Sequence, residues 1–507
     1  MILSKLLKKT QKFKTLQKGR IHLNLHLSCL FSSKSTPTNQ YEKNIPFDRL
    51  KISNYLKTNC KKHKYKYLTP IQEKAFPYIL EKQSAAIFAE TGSGKTLTYI
   101  LPIMEELLKN PSKSGMHGAL ILTPNKELTI QIYSEARKLD PDNKLKISRL
   151  GSISHVTPHL DYISKTKDER PSRQTLQNLS EQNVINTVNW KRLDMLIGTP
   201  QRLDSIIKAK NRVDGYDLNP QFLVIDEFDQ ILDNKNLFES LKYILRQFAG
   251  LSHTHLAEYN QRRTVVLAGA SLQKSYNKVE TEMLIRDWFP GIHILKTENY
   301  LKVNSRVKHE AFNTSEVDES DKMLLLEQVI KEHFDELQGR GEALSSQKVM
   351  VFVKSAISAE DIAKSLNQNM IACSKLHSKM KVNDRVQAVS EFKEGSKSMV
   401  LVCTDVGARG LDFENLGLVV QYDFAQNALS LLHRFGRTGR LNKEGKVVSF
   451  LEAGDDLLFH EFEDARVEGR GMQHLFSQKR SFSKKRKFED EDSGMRYQDP
   501  DREGEQH

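Results

Sequence analysis

Cysteine is scarce in this chain. There are four in 507 residues (Cys29, Cys60, Cys373 and Cys403), and none forms a C-x-x-C pair. That scatter excludes a disulfide framework or a ribbon-type zinc site and suits a reducing compartment. Long apolar runs are also missing. No stretch of about 18 apolar residues occurs, so no membrane span is expected. Acid is absent from residues 1–41, which hold seven lysines and Arg20 and so carry +8 of the formal net charge of +13. Residues 479–507 hold eight basic and eight acidic side chains and sum to zero, which leaves +5 for 42–478. So small an excess does not by itself imply a polyanionic partner, and a basic groove would have to come from local arrangement.

What is present begins with the leader. Ile2, Leu3, Leu6, Leu7, Phe13 and Leu16 fall along one side of a helix, with Lys5, Lys8, Lys9, Lys12 and Lys14 over much of the rest. Leu30 to Ser35 then become apolar and Ser-rich. A basic, amphipathic, acid-free segment has the pattern of a mitochondrial presequence, so residues 1–41 predict a matrix address. The lysines interrupt the continuous apolar block that a secretory signal needs. The bland alternative is a disordered basic arm. Lys484-Lys485-Arg486-Lys487 leaves a nuclear alternative open.

From Phe47 onward, short apolar runs alternate with helical stretches. Ala85–Phe88, Ala119–Leu122, Met195–Ile197, Phe222–Ile225 and Thr264–Leu267 read as buried strands, several ending at a polar motif. The pattern restarts at Val349–Val353, Met399–Val402, Leu418–Gln421 and Val447–Phe450. Strand, loop and helix repeated in this way predict an α/β chain of two doubly wound parallel-sheet domains, with ligands at the carboxyl ends of the strands. The domains are expected over 42–298 and 307–465, with a linker over 299–306. Residues 155–190 read as a polar surface insertion, and 466–507 as a charged tail, disordered from about Lys479.

Two stretches carry phosphate chemistry. Ala89-Glu90-Thr91-Gly92-Ser93-Gly94-Lys95-Thr96 follows a strand and precedes an apolar helix. Glycines there let backbone N–H groups approach phosphate oxygens at a helix N-terminus. Lys95 would neutralise the β- and γ-phosphates and Thr96 would ligate Mg²⁺. Phe222–Ile225 ends in Asp226-Glu227-Phe228-Asp229. Asp226 would hold Mg²⁺, directly or through water, and Glu227 would orient or deprotonate the attacking water. Far downstream, His433-Arg434-Phe435-Gly436-Arg437-Thr438-Gly439-Arg440 spaces arginines to reach a phosphate from the other side.

Taken together, residues 47–465 resemble the DEAD-box RNA helicases of superfamily 2, with every motif in that family's order. The resemblance implies two tandem RecA-like domains, ATP and Mg²⁺ as cofactors, and RNA, single-stranded or short duplex, as partner. Phe47 and Tyr65–Gln72 look like the Q motif, where Gln72 would read adenine and Phe47 stack on it. Pro124–Leu128 and Thr199–Arg202 resemble the motifs that grip RNA phosphates, assigning that role to Lys126, Thr199 and Arg202. Gly269-Ala270-Ser271 stands where the family couples hydrolysis to unwinding. In the second domain Val351–Val353, Arg385 and Thr404–Asp412 match further motifs. Arg385 and Thr404 would contact RNA, and Gly410 and Asp412 the ribose side of the nucleotide. Arg437 and Arg440 would be arginine fingers on the γ-phosphate, and His433 would bridge to Asp229.

Several departures stand out. Phe228 replaces the usual Ala, and its bulk is expected to shift neighbours. Gly269 replaces a usual Ser, which removes one hydroxyl from the coupling network. Ser271 keeps the hydroxyl of the usual Thr. The Q motif has Tyr65 and Leu68 for Phe and Pro, and Val382 replaces a usual Gln before Arg385. None removes a phosphate-, Mg²⁺- or water-handling group, so a competent ATPase with weakened unwinding is expected. The resemblance extends to fungal mitochondrial members of the family. It points to a monomer acting on mitochondrial ribosomal RNA or ribosome assembly particles. An ATP-dependent RNA clamp or assembly scaffold is the alternative from another class. A DEAH-type or DNA helicase is disfavoured by the Q-motif-like stretch and by Asp rather than His at position 229.

Overall fold

The structure is a computed structural model. It describes residues 45–90, 92–111, 118–150, 193–208, 219–249, 263–272, 280–298, 300–304, 306–342, 347–395, 397–408, 413, 416–439, 444–472 and 475, with the backbone of Arg20–Ile21. The leader, the insertion at 155–190 and the tail beyond 475 otherwise lie outside the described residues. The chain divides into two compact units between Tyr300 and Leu301. That division falls inside the stretch expected to be the linker.

A two-residue strand, β1 (Arg20–Ile21), belongs to the second unit's sheet. The first unit contains β2 (Ala85–Phe88), β3 (Ala119–Leu122), β4 (Ile147–Arg149), β5 (Met195–Gly198), β6 (Phe222–Ile225), β7 (Thr264–Gly269) and β8 (His293–Lys296). They pair in the order β4-β5-β3-β6-β7-β2-β8, every pair parallel. Every residue of β2, β3, β5, β6 and β7 is buried. Helices on both faces of a parallel sheet leave no wet side, and that is why these strands read as unbroken apolar runs.

The second unit contains β9 (Val307–Asn313), β10 (Lys348–Val353), β11 (Cys373–Leu376), β12 (Val400–Thr404), β13 (Leu416–Gln421) and β14 (Gly445–Leu451). Its order is β1-β9-β14-β13-β10-β12-β11, parallel except for the antiparallel β1–β9 pair. Two apolar layers sandwich this sheet. Phe352, Phe392, Phe413 and Phe435 lie in one, and Val351, Leu366, Tyr422 and Phe450 in the other. The expected fold class of two doubly wound α/β domains is the one observed. β4, β8, β9 and β11 were not anticipated. All lie at or next to a sheet edge, where half-exposed residues break the apolar run.

Candidate nucleotide site and nucleic-acid interface

At the carboxyl end of β2 the chain turns into the helix Lys95–Lys109. Gly94 makes the turn at φ +86°, which L side chains rarely adopt, and a Cβ there would stand 2.6 Å from the Gln72 amide nitrogen and displace it. Lys95 is buried, and its Nζ donates to the carbonyls of Ala89 (2.7 Å) and Glu90 (2.9 Å). The ammonium is thus held over the loop by groups that a phosphate oxygen could replace. Ala89 N donates to Gly269 O (3.2 Å). Glu90 accepts from the Thr297 hydroxyl (2.8 Å), pinning the loop's first half to the end of β8. Thr91 lies outside the described residues. Gly92 is the loop's other residue at positive φ, and Ser93 is buried.

β6 delivers Asp226, which is 3% exposed. Its Oδ2 accepts from the Tyr99 hydroxyl (2.8 Å) and its Oδ1 from Glu227 N (2.9 Å). Tyr99 is fully buried, so its hydroxyl holds Asp226 from inside the core. Burial, with the neighbouring Glu227 charge second, holds the Asp226 carboxyl well above the usual carboxylate range. A hard divalent cation would relieve exactly such a site. Among the described residues no cluster of three or more His, Cys, Asp or Glu side chains forms a metal cage. One carboxylate and one hydroxyl match Mg²⁺, which keeps water and phosphate oxygens as its other ligands. Glu227 sits in the left-handed region (φ +49°), a strained conformation for a non-glycine residue, and accepts from Gln230 Nε2 (2.9 Å).

Asp229 is held from β7. Its Oδ2 accepts from Ser271 N and Oγ (3.0 Å each) and from Ala270 N (3.3 Å), while its buried Oδ1 has no hydrogen-bond partner among the described residues. Burial and the Glu227 charge raise its carboxyl as well. Gly269 lies tight against the Phe88 ring and the Asp229 carboxylate. A Cβ at 269 would lie 3.1 Å from Phe88 Cε1 and 3.1 Å from Asp229 Oδ1. Phe228 is fully buried, and the hydrogen bonds of Asp226 and Asp229 on either side of it are formed.

The Q-motif residues are placed differently from the expectation. Phe47 is 3% exposed and packs on Tyr65 (6.1 Å between centroids) and edge-on to Phe76 (6.4 Å), so it offers no open face to a base. Its burial among these aromatics makes it a core residue here. Gln72 uses its amide internally. Oε1 accepts from Thr69 N (2.9 Å), closing a capping box on the helix Pro70–Leu80, and Nε2 donates to Gly94 O (3.2 Å). It ties this helix to the phosphate loop.

The expected RNA residues of this unit stand beside the nucleotide groups. Lys126 opens the helix Lys126–Leu139 after β3, whose N-cap Asn125 accepts from Leu128 N (2.8 Å). Thr199 follows β5, its Oγ1 accepts from Arg202 N (3.4 Å), and Arg202 lies in the first turn of Pro200–Lys208. Along the sheet's carboxyl edge the strands bearing Thr199, Lys126, Asp226, Gly269 and the phosphate loop are five consecutive neighbours, β5-β3-β6-β7-β2.

In the second unit Thr404 ends β12 and its hydroxyl accepts from Gly407 N (3.3 Å). Arg385 is half-buried on the helix Val382–Glu394. His433 and Arg437 lie at and just beyond the end of the helix Ala428–Phe435, Arg437 buried. Arg440, Gly410 and Asp412 lie outside the described residues. The sequence reading missed what holds this region. Arg434, 2% exposed, makes a two-pronged pair with Asp405 (2.8 Å each) and donates to Gln421 Oε1 (3.1 Å) and Asp423 O (2.7 Å). The network continues inward. Gln421 Nε2 donates to Ser449 Oγ (2.8 Å), which meets His309 Nε2 (2.8 Å), and His309 Nδ1 meets Glu463 Oε1 (2.6 Å). His309 thus stands between the Ser449 hydroxyl and the Glu463 carboxylate, with one ring nitrogen on each. Buried polar chains of this kind need every member paired. No periodicity signals such pairs, because each partner lies on a different element.

A P-loop on a parallel sheet, followed by a strand-end Asp-Glu, defines a nucleotide-dependent phosphate-handling protein. A DEAD/DEAH box helicase domain matches residues 69–279, and a helicase conserved C-terminal domain matches 323–442. With both domains in order, the chain belongs to the DEAD-box RNA helicase family, whose members hydrolyse ATP. It is 28% identical over 414 residues to DEAD-box ATP-dependent RNA helicase 39 of Arabidopsis thaliana, covering 80% of this chain and 59% of that protein. It is 27% identical over 408 residues to ATP-dependent RNA helicase ROK1 of Eremothecium gossypii, covering 80% and 63%. The chain thus spans about three-fifths of the length of these curated relatives. Among solved structures, Mss116p bound to ssRNA and AMP-PNP matches with TM-score 0.64 at 22% identity, covering 85% of this chain and 80% of that one. S. cerevisiae Dbp5 bound to RNA and ADP BeF3 matches with TM-score 0.61 at 20% identity, covering 87% and 99%. These likenesses are of fold.

Proposed function

We propose that this chain is an ATP-dependent RNA helicase that grips single-stranded RNA and separates short duplexes or RNA–protein contacts locally. The observation that carries the reading is the row of neighbours on the first unit's carboxyl edge, with phosphate loop, Asp226–Glu227 and Asp229–Ser271 beside Lys126, Thr199 and Arg202. The triphosphate of ATP binds at the N-terminus of Lys95–Lys109, where Lys95 exchanges the Ala89 and Glu90 carbonyls for phosphate oxygens. Thr96 and Asp226 would hold Mg²⁺, which supplies charge neutralisation at the β- and γ-phosphates. Glu227 orients or deprotonates the attacking water. By the family resemblance, Arg437 and Arg440 would be the arginine fingers on the γ-phosphate and His433 the partner of Asp229. Lys126, Thr199, Arg202, Arg385 and Thr404 hold RNA mainly through its backbone, so sequence readout is slight.

The clamp alternative drew on Phe228 and Gly269. Asp229 keeps three donors from Ala270 and Ser271 without a hydroxyl at 269, which favours the helicase. The composition of residues 1–41 supports a mitochondrial matrix address, and analogy with the family supports organellar ribosomal RNA as the substrate. ATP-dependent strand release from a short RNA duplex tests the enzyme reading. Release equal with and without ATP would leave only the clamp. A fluorescent fusion of residues 1–41 that stays in the cytosol would remove the address.

A further inference from the structure

The lysines between Phe47 and Gln72 have no role in the reading above. Residues 51–72 contain Lys51, Lys57, Lys61, Lys62, Lys64 and Lys66, together with His63, and no acid. Their +6 exceeds the +5 of the whole stretch 42–478, so the remainder of that stretch is slightly acidic. The folded body's positive excess is therefore gathered in one place.

The local structure turns this charge outward. The helix Asn54–Lys62 buries Leu56, Asn59 and Cys60, and Asn59 Nδ2 donates to Leu139 O (3.0 Å). Lys51, Lys61, Lys62, His63, Lys64 and Lys66 are exposed. Lys61 pairs with Asp48 (2.9 Å), both groups more than half exposed. Lys51, Lys62 and Lys64 have no side-chain partner among the described residues. A solvated face normally mixes signs. Like charges gathered on one short segment repel, and an approaching polyanion relieves that cost. The patch is also off the expected RNA track. Tyr65, next to it, bonds Glu135, nine residues along the helix from Lys126 and so about 14 Å away by helix rise.

We propose that this face binds the phosphate backbone of RNA flanking the stretch gripped by the motifs. It would anchor the protein on a long substrate by counterion release, without base readout. The inference rests on the RNA-helicase reading.

The test compares the full chain with a Lys51→Gln, Lys62→Gln, Lys64→Asn triple variant. Asn is chosen at 64 because that residue sits at φ +63°, which Asn tolerates. Binding of single-stranded RNAs of about 10 and about 40 nucleotides is measured with a non-hydrolysable ATP analogue over a KCl series. Loss of three phosphate contacts lowers the log–log salt slope by about 2. The expected result is that smaller slope, with affinity weakened tenfold or more, for the long RNA only. The short RNA is bound as by the parent, which also shows that the variant is folded. Equal slopes and affinities on the long RNA would overturn the proposal. A parent that binds neither RNA would instead overturn the helicase reading.

Discussion

Restoring the usual Ser at position 269 should harm this protein rather than improve it. A side chain there meets Phe88 Cε1 and Asp229 Oδ1 at 3.1 Å each. Neither neighbour can yield cheaply. Phe88 is fully buried in a strand flanked by β7 and β8, and Asp229 is fixed by three donors. Overpacking of this kind costs about 1–3 kcal/mol. The new hydroxyl could donate to the unpaired Asp229 Oδ1, which offsets about 1 kcal/mol. The expected net loss for Gly269→Ser is about 0–2 kcal/mol, centred near 1. In a Phe88→Leu background the ring edge is gone, and the same Ser should cost less than about 0.5 kcal/mol, a coupling beyond the additivity of independent sites. Denaturant unfolding followed by tryptophan fluorescence reads this directly, because both tryptophans, Trp190 and Trp288, lie in the unit Pro37–Tyr300. Equal losses in the two backgrounds would refute the reasoning. So would faster strand release by the Gly269→Ser protein.

Three further outcomes follow from the two units. In Tyr99→Phe the buried Asp226 carboxylate loses a donor, a cost of about 1–3 kcal/mol, and Mg²⁺–ATP affinity measured by calorimetry should fall, whereas unchanged affinity would show that Tyr99 does not organise the site. Burial alone would raise Glu463, but hydrogen bonds from His309 and Arg466 outweigh it and bring its carboxyl down to about 2 from 4.5. That depressed carboxyl contributes about 3 kcal/mol above pH 4.5, lost as pH falls toward 2, so Glu463→Gln should flatten the acid limb of the second unit's stability curve, read by hydrogen exchange of β14 amides. Arg434→Lys keeps the charge but cannot make the two-pronged bond to Asp405 while serving Gln421 and Asp423; a stability loss of about 2–4 kcal/mol and slower ATP turnover are expected, and parental behaviour would count against a positioning role.

The interior of both sheets was legible because burial on two faces writes itself as apolar runs. Phe222–Ile225 was read to the residue, and β7 was missed only in its last two positions, where Ala268 and Gly269 carry no strand signal. Edge strands such as Cys373–Leu376 have three half-buried residues of four and no such signature. The phosphate loop and Asp226–Glu227 were readable because their chemistry is contiguous in sequence. Tyr99, Gln421 and the Arg434–Asp405 pair were not, because their partners are brought together only by the fold. Phe47 was misjudged because a motif names the residue and says nothing of the rings packed against it.

The most direct test of the central claim is the ATPase rate with and without single-stranded RNA, on the full chain beside Glu227→Gln. RNA stimulation of the parent, abolished by the substitution, is the predicted result. ATP-supported RNA binding with turnover no higher than that of Glu227→Gln would contradict it.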